Sequence, residues 1–170
     1  MKASDAIAEF IAKHVDHVFV VSGGANLHLL DSLSRTHVRI TPTQNEQAAS
    51  FAADAYSRLH GLGCAIATSG PGATNLVTGI ATSFYDSVPV LFITGNQTRE
   101  RLGIDLGVRQ YGFQATPITE VVRPICKYAK QVMDTNEIQL ELQMAVAIAK
   151  ARRPGPVLLD FPDDVQRSIV

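Results

Sequence analysis

The stretch "CAIATSGPGATNLVTGIATSFYDSVPVLFIT" (Cys64 to Thr94) decides the fold. "CAIAT" (Cys64 to Thr68) is a short apolar run of small residues, the length of a strand. "SGPG" then turns the chain. Its glycines allow backbone conformations closed to other residues, and Pro71 stiffens the turn. From Ala73 to about Tyr85 the apolar spacing becomes helical, and "PVLFIT" (Pro89 to Thr94) is a second continuous apolar run. Strands that are apolar on both faces and joined through a helix belong to a parallel sheet covered on both sides.

The same alternation extends outward in both directions. Ala3 to Val15 carries Ala6, Ile7, Phe10 and Ile11 at helical spacing, with Ser4 as its cap. "HVFVV" (His17 to Val21) and "HVRIT" (His37 to Thr41) read as strands, with "SGGAN" (Ser22 to Asn26) and a helix over Leu27 to Leu33 between them. An alanine-rich helix follows Glu46 and stops near "HGLG". Gly95 to Gln114 form a long irregular loop, too long for a simple connector. "ICKYAKQV" predicts a strand, Asp134 to Ala151 a helix, and Val157 to Phe161 the last strand. The reading is one α/β domain over residues 1–170, a doubly wound, mostly parallel sheet of about six strands with helices on both faces.

Composition excludes several function classes. Hydrophobic residues make up 46% of the 170 residues, charged residues 18%, and the formal net charge is -1. The longest basic cluster is Arg152-Arg153, which is no footprint for nucleic acid. The apolar runs are strand-sized, so no membrane span is expected, and "MKASDAIAEFIAKH" lacks the apolar block of a signal peptide. Cys64 and Cys126 stand alone and read as reduced thiols of a cytoplasmic protein. His14 and His17 lack a third ligand nearby, so no metal site is assigned. Asp163 and Asp164, after a proline, read as solvated or capping residues in preference to a metal pair. The low charge fraction suggests that another chain covers part of the surface.

In such sheets ligands bind beyond the carboxyl ends of the strands. "SGGAN", "TQNE", "TSGPGATN" and "TGNQ" all fall there. "TSGPGATN" (Thr68 to Asn75) matches neither GxGxxG nor a P-loop, and by itself reads first as a tight strand-to-helix turn, with a ligand loop as the second reading. "SGGAN" has the same two readings, with Asn26 as a helix cap in the second. Thr43 to Glu46 fits the capping box T-x-x-E, which makes Glu46 an ordinary helix-start acid. Locally that reading competes with a proton-transfer role. Ala48, Ala49, Ala52, Ala53 and Ala55 leave the following helix almost without bulk, which suits close packing on a neighbouring helix, in a second subunit among other places.

Taken together, "VSGGAN", "NEQAASFAADAYSR", "TSGPGATNLVTGIATSFYDSVPVLFITGNQ", "FQATPITEVVRPICKYAK" and "RPGPVLLDFPDDVQ" resemble the N-terminal pyrimidine-binding domain of thiamine diphosphate enzymes. They are most like the catalytic subunit of acetolactate synthase, and they run in order over nearly the whole chain. The resemblance implies thiamine diphosphate as cofactor, with Glu46 as the catalytic glutamate, its carboxyl bonded to a nitrogen of the aminopyrimidine. It implies that Ser22, Gly23, Gly24, Pro71 and Asn75 line the pyrimidine pocket, and that Gln114, beside Phe113, reaches substrate. The substrate class is a 2-oxo acid and the reaction carboligation or lysis. The partners implied are a second copy in a homo-oligomer and a diphosphate-binding domain of the same or another chain.

The match has departures. The family's "HEQ" reads "NEQ" at Asn45, "PGGA" reads "SGGA", and the loop from Gly103 to Phe113 is longer. No "GDG" segment occurs, so Mg2+ and the diphosphate are assigned to a domain absent from this chain, which should be inactive alone. A subunit of a two-chain 2-oxo acid decarboxylase, and a non-catalytic binding or assembly module with the same fold, are the alternatives. An acid kept at Glu46 speaks against the second.

Overall fold

In a computed structural model of the protein, residues 1–102 and 107–170 are described. Gly103 to Leu106, the start of the lengthened loop, lie outside them. The elements run α1 (Ala3–Ala12), β1 (His17–Val20), α2 (Leu27–Leu33), β2 (Arg39–Pro42), α3 (Glu46–His60), β3 (Gly63–Ala67), α4 (Pro71–Asn75), α5 (Val77–Tyr85), β4 (Val90–Asn96), α6 (Ile118–Val122), β5 (Tyr128–Gln131), α7 (Ile138–Lys150), β6 (Val157–Pro162) and α8 (Asp163–Arg167). The six strands form one sheet in the order β2-β1-β3-β4-β6-β5. Every pairing is parallel.

Alternation along the strands sorts the core into two layers. Cys64, Ile66, Leu91, Ile93, Val157 and Leu159 point to the face covered by α1, α2 and α7. Ala65, Ala67, Val90, Phe92 and Leu158 point to the other, covered by α3, α5 and α6. β3, β4 and β6 are buried along their whole length, as continuous apolar runs require. Burial pushes both thiols, Cys64 and Cys126, up to about 12, so neither is a reactive thiolate.

The small residues of α3 serve the chain's own sheet first. A Cβ on Gly63 of β3 would stand 2.0 Å from the Ala53 carbonyl oxygen, so helix and strand touch backbone to backbone. Ala49 and Ala53 are fully buried there, whereas Ala48 and Ala55 face outward. Ser50 of α3 fills the space left open at Gly79 of α5. The close packing expected of these alanines is therefore largely internal.

Four local readings change. Ser4 does not cap α1. Lys2 holds that position, and the buried Ser4 hydroxyl pairs with Ser32 at 2.8 Å. The single helix expected over Ala73 to Tyr85 begins at Pro71 and is divided at Leu76, whose amide bonds to Ala73, three residues back. Asp163 and Asp164 open α8 half-buried, paired with Arg167 and Arg99. The long loop is followed by a helix, α6, that apolar spacing did not announce.

Because Ala53 presents backbone to Gly63, no rotamer change can make room. Gly63→Ala is expected to lower the urea unfolding free energy by about 1–3 kcal/mol. An unchanged midpoint would show that α3 slides freely over β3.

Candidate functional site

The strand order reverses beside β1. From β1 the chain moves to the α1/α2 face, and from β3 it moves to the α3/α5 face. The loops after β1 and β3 part at this point, the place where ligands bind in open sheets of this kind. Thr68 sits between them. A Cβ on Gly23 would lie 2.5 Å from Thr68 Cβ, and one on Gly72 would lie 2.8 Å from Thr68 Cγ2. The Ala25 amide donates to Thr68 Oγ1 at 3.2 Å. Asn26, fully buried, ties the first loop to itself. Its Oδ1 accepts from the Gly23 amide at 2.9 Å and its Nδ2 donates to the Val21 carbonyl at 3.0 Å. It makes no side-chain cap on α2.

Glu46 enters from β2 as the first residue of α3 and is 8% exposed. The capping box expected from Thr43 does not form. Asn45 is the cap, its Oδ1 accepting from the Gln47 amide at 2.8 Å, and Thr43 Oγ1 donates to the Asn45 carbonyl. The Glu46 carboxyl is held from α4 instead: Asn75 Nδ2 donates to Oε2 at 2.9 Å. Oε1 has no hydrogen-bond partner among the described residues, and it lies 3.3 Å from where a Gly72 Cβ would stand.

Gln114 joins the group from the far loop. Its backbone is left-handed at φ 56°, and Gly70, at φ 59°, lies against it. A Cβ on Gly70 would come within 2.5 Å of the Gln114 carbonyl oxygen. Phe113 beside it is 73% exposed. The structure thus brings Glu46, Asn75, Gly23, Gly70, Gly72 and Gln114 to one end of the sheet. Pro71 is exposed at the first position of α4. Ser22 and Gly24 lie exposed on the β1 loop, and no hydrogen bond joins either to Glu46 or Asn75. No group of three metal-ligating side chains occurs among the described residues.

Sequence reasoning missed the support behind these loops. Asp160 of β6 is completely buried and accepts from Thr94, Asn96 and Gln131. Burial raises its pKa against those three hydrogen bonds. An acid inside the apolar run "VLLDFP" was the available signal. Gln166 of α8 is also buried and donates to the Ala25 carbonyl at 2.7 Å, which steadies the β1 loop from behind.

A parallel sheet with two open glycine loops at its order reversal defines a ligand-binding domain of the doubly wound class. The family model for the thiamine pyrophosphate enzyme N-terminal TPP binding domain matches residues 1–121. The chain is 42% identical to chloroplastic acetolactate synthase 2 of Nicotiana tabacum over 99% of its length. It is 42% identical to chloroplastic acetolactate synthase of Arabidopsis thaliana and 40% identical to chloroplastic acetolactate synthase 1 of Oryza sativa, again over 99% of the chain. It spans about a quarter of those proteins, 25% of the first two and 26% of the third. The chain belongs to the thiamine pyrophosphate enzymes, as an N-terminal domain of the acetolactate synthase kind.

The Gly70 contact gives a direct test. Gly70→Ala adds both a φ penalty and a clash with Gln114, and it should cost about 1–3 kcal/mol of stability and move the Gln114 amide resonance. A Gln114 resonance that stays in place would mean the two loops do not touch in solution.

Proposed function

We propose that this chain is the pyrimidine-binding half of a thiamine diphosphate-dependent carboligase or lyase acting on 2-oxo acids, with Glu46 as its proton-handling group. The observation that carries the reading is the division of labour on the Glu46 carboxyl. One oxygen is held by Asn75, and the other is unpaired at the mouth of the Gly72 cradle. That donor set fits a flat nitrogen heterocycle. The space beside Gly24 is open, and a nearly buried carboxyl would meet a ring nitrogen at its edge.

Thiamine diphosphate, when bound, supplies the carbon nucleophile that attacks the 2-oxo acid. The work of this chain is to hold and orient. Asn75 fixes the Glu46 carboxyl, so that its free oxygen exchanges a proton at a set position. Thr68, packed against Gly23 and Gly72, holds the two glycine loops in register, with Ser22, Gly24 and Pro71 exposed beside them. Gln114, seated on Gly70, presents an amide to substrate. The Mg2+ and diphosphate end belongs to another domain of the same or a second chain.

The outer face of α3 supports a homo-oligomer. Ala48, Phe51, Ala55 and Leu59 follow helical spacing and are exposed, Leu59 by 83%. No helix among the described residues is long and apolar enough to cross a membrane. Two free, buried or half-buried thiols agree with a cytoplasmic protein, although the relatives named above are chloroplastic.

Glu46→Gln in the complete enzyme should lower turnover at least ~100-fold, because general acid–base help of that size is lost. Full turnover in this variant would sink the reading. Product analysis of the wild type then separates ligation from plain decarboxylation. Phe51→Asp combined with Leu59→Asp should halve the sedimenting mass, and an unchanged mass would move the interface elsewhere.

A further inference from the structure

The loop that carries Phe113 and Gln114 leaves β4 and returns into α6, and both of its ends meet at one side chain. Asn96, the last residue of β4, is 1% exposed. Its Oδ1 accepts from the Gln97 amide at 2.9 Å, where the loop departs. Its Nδ2 donates to the Thr116 carbonyl at 3.4 Å, where the loop returns. The same Nδ2 donates to Asp160 Oδ2 at 2.7 Å.

Asp160 is an acid with no cation beside it. Thr94 Oγ1 donates to Oδ1 at 2.6 Å, and Gln131 Nε2 donates to Oδ2 at 2.8 Å. A carboxylate only accepts, so both amides must turn their NH2 groups inward. For Asn96 this leaves the oxygen, and not the nitrogen, facing the Gln97 amide. The orientation that staples the loop is thus the one the carboxylate dictates. Further along the loop, Asp164 accepts from the Arg99 amide at 2.8 Å and from Arg99 Nε at 2.6 Å, which pins the departing strand to α8.

We propose that Asp160 is a positioning residue for the Gln114 loop: it fixes the Asn96 amide, and Asn96 closes both ends of the loop so that Gln114 is held against Gly70. Its bearing on substrate rests on the reading of Gln114 given above. The staple itself does not.

The test removes the acceptor at near-constant shape. In Asp160→Asn the new NH2 could face Thr94, whose hydroxyl also accepts, so the deciding variant is Asp160→Leu, which removes both acceptor oxygens and with them the group that orients Asn96 and Gln131. Hydrogen exchange in the complete enzyme should rise about tenfold or more at the Gln97 and Ala115 amides, with α3 and β1 unchanged. The KM for the 2-oxo acid should rise about tenfold through misplacement of Gln114, while the Kd for thiamine diphosphate stays within about twofold. Asn96→Ala removes the staple and leaves the acid, and it should give the same local exchange pattern if Asp160→Leu does not fold. Loop exchange equal to wild type in the variant that folds, or a rise spread evenly over all elements, overturns the proposal. The exchange readout needs neither cofactor nor turnover. A Glu46→Gln enzyme that stays active would therefore remove the functional reading and leave the staple standing.

Discussion

Everything at the carboxyl end of this sheet depends on how closely two loops can approach around Thr68. The strand order reverses beside β1, so the loops after β1 and β3 must separate to opposite faces. They separate over a single threonine, with a glycine on each side. A side chain at Gly23 would clash with Thr68 at 2.5 Å, and one at Gly72 would clash with it at 2.8 Å. The gap between the loops is therefore set by backbone and one β-branched residue, which has few rotamers to spend.

Helix α3 reaches that gap with its position fixed on two sides. Its inner face lies on the Gly63 backbone, and its flank meets α5 through Ser50 at Gly79. Buried Asp54 reinforces the flank by accepting from Ser83 Oγ and Arg58 Nε, each at 2.7 Å. Breaking one partner would leave a charge buried and uncompensated, a large cost, so the helix has little freedom to roll. With α3 and α5 locked together, and α4 leading directly into α5, the span from Glu46 to Asn75 is also fixed. The placement of a single carboxyl thus rests on contacts spread along four turns of helix.

The frame of the fold was legible because it depends on local period. "CAIAT", "PVLFIT" and "PVLLDF" have no polar face to offer solvent, and the helices between them repeat their apolar residues at helical spacing. Site membership came from loop chemistry plus resemblance, and Glu46, Asn75 and Gln114 do converge. What stayed hidden are partnerships between residues far apart in sequence. Asp160 and Asn96 are 64 positions apart, and Gln166 and Ala25 are 141 apart. No window of sequence displays such pairs. The one clue was a charged residue in a strand that should hold none, because a buried acid must find its donors somewhere. Helix ends were misread for a related reason. Ser4 and Thr43 both have capping chemistry, but tertiary contacts took Ser4 into the core and the turn geometry moved the cap of α3 to Asn45.

That shift of cap matters chemically. In a capping box from Thr43, Glu46 would sit three residues into the helix and turn its carboxyl back onto a backbone amide. Both the donor and the direction of the carboxyl would then be spent on the helix end. With Asn45 as cap, the Gln47 amide is satisfied by the asparagine oxygen, and Glu46 becomes the first helical residue. A cap of this kind is worth about 0.5–2 kcal/mol, so the helix start loses nothing by the exchange. The carboxyl is released to point across to Asn75, which takes one oxygen and leaves the other open. In this chain, then, the asparagine beside the acid takes over the helix end and leaves the acid to face Asn75.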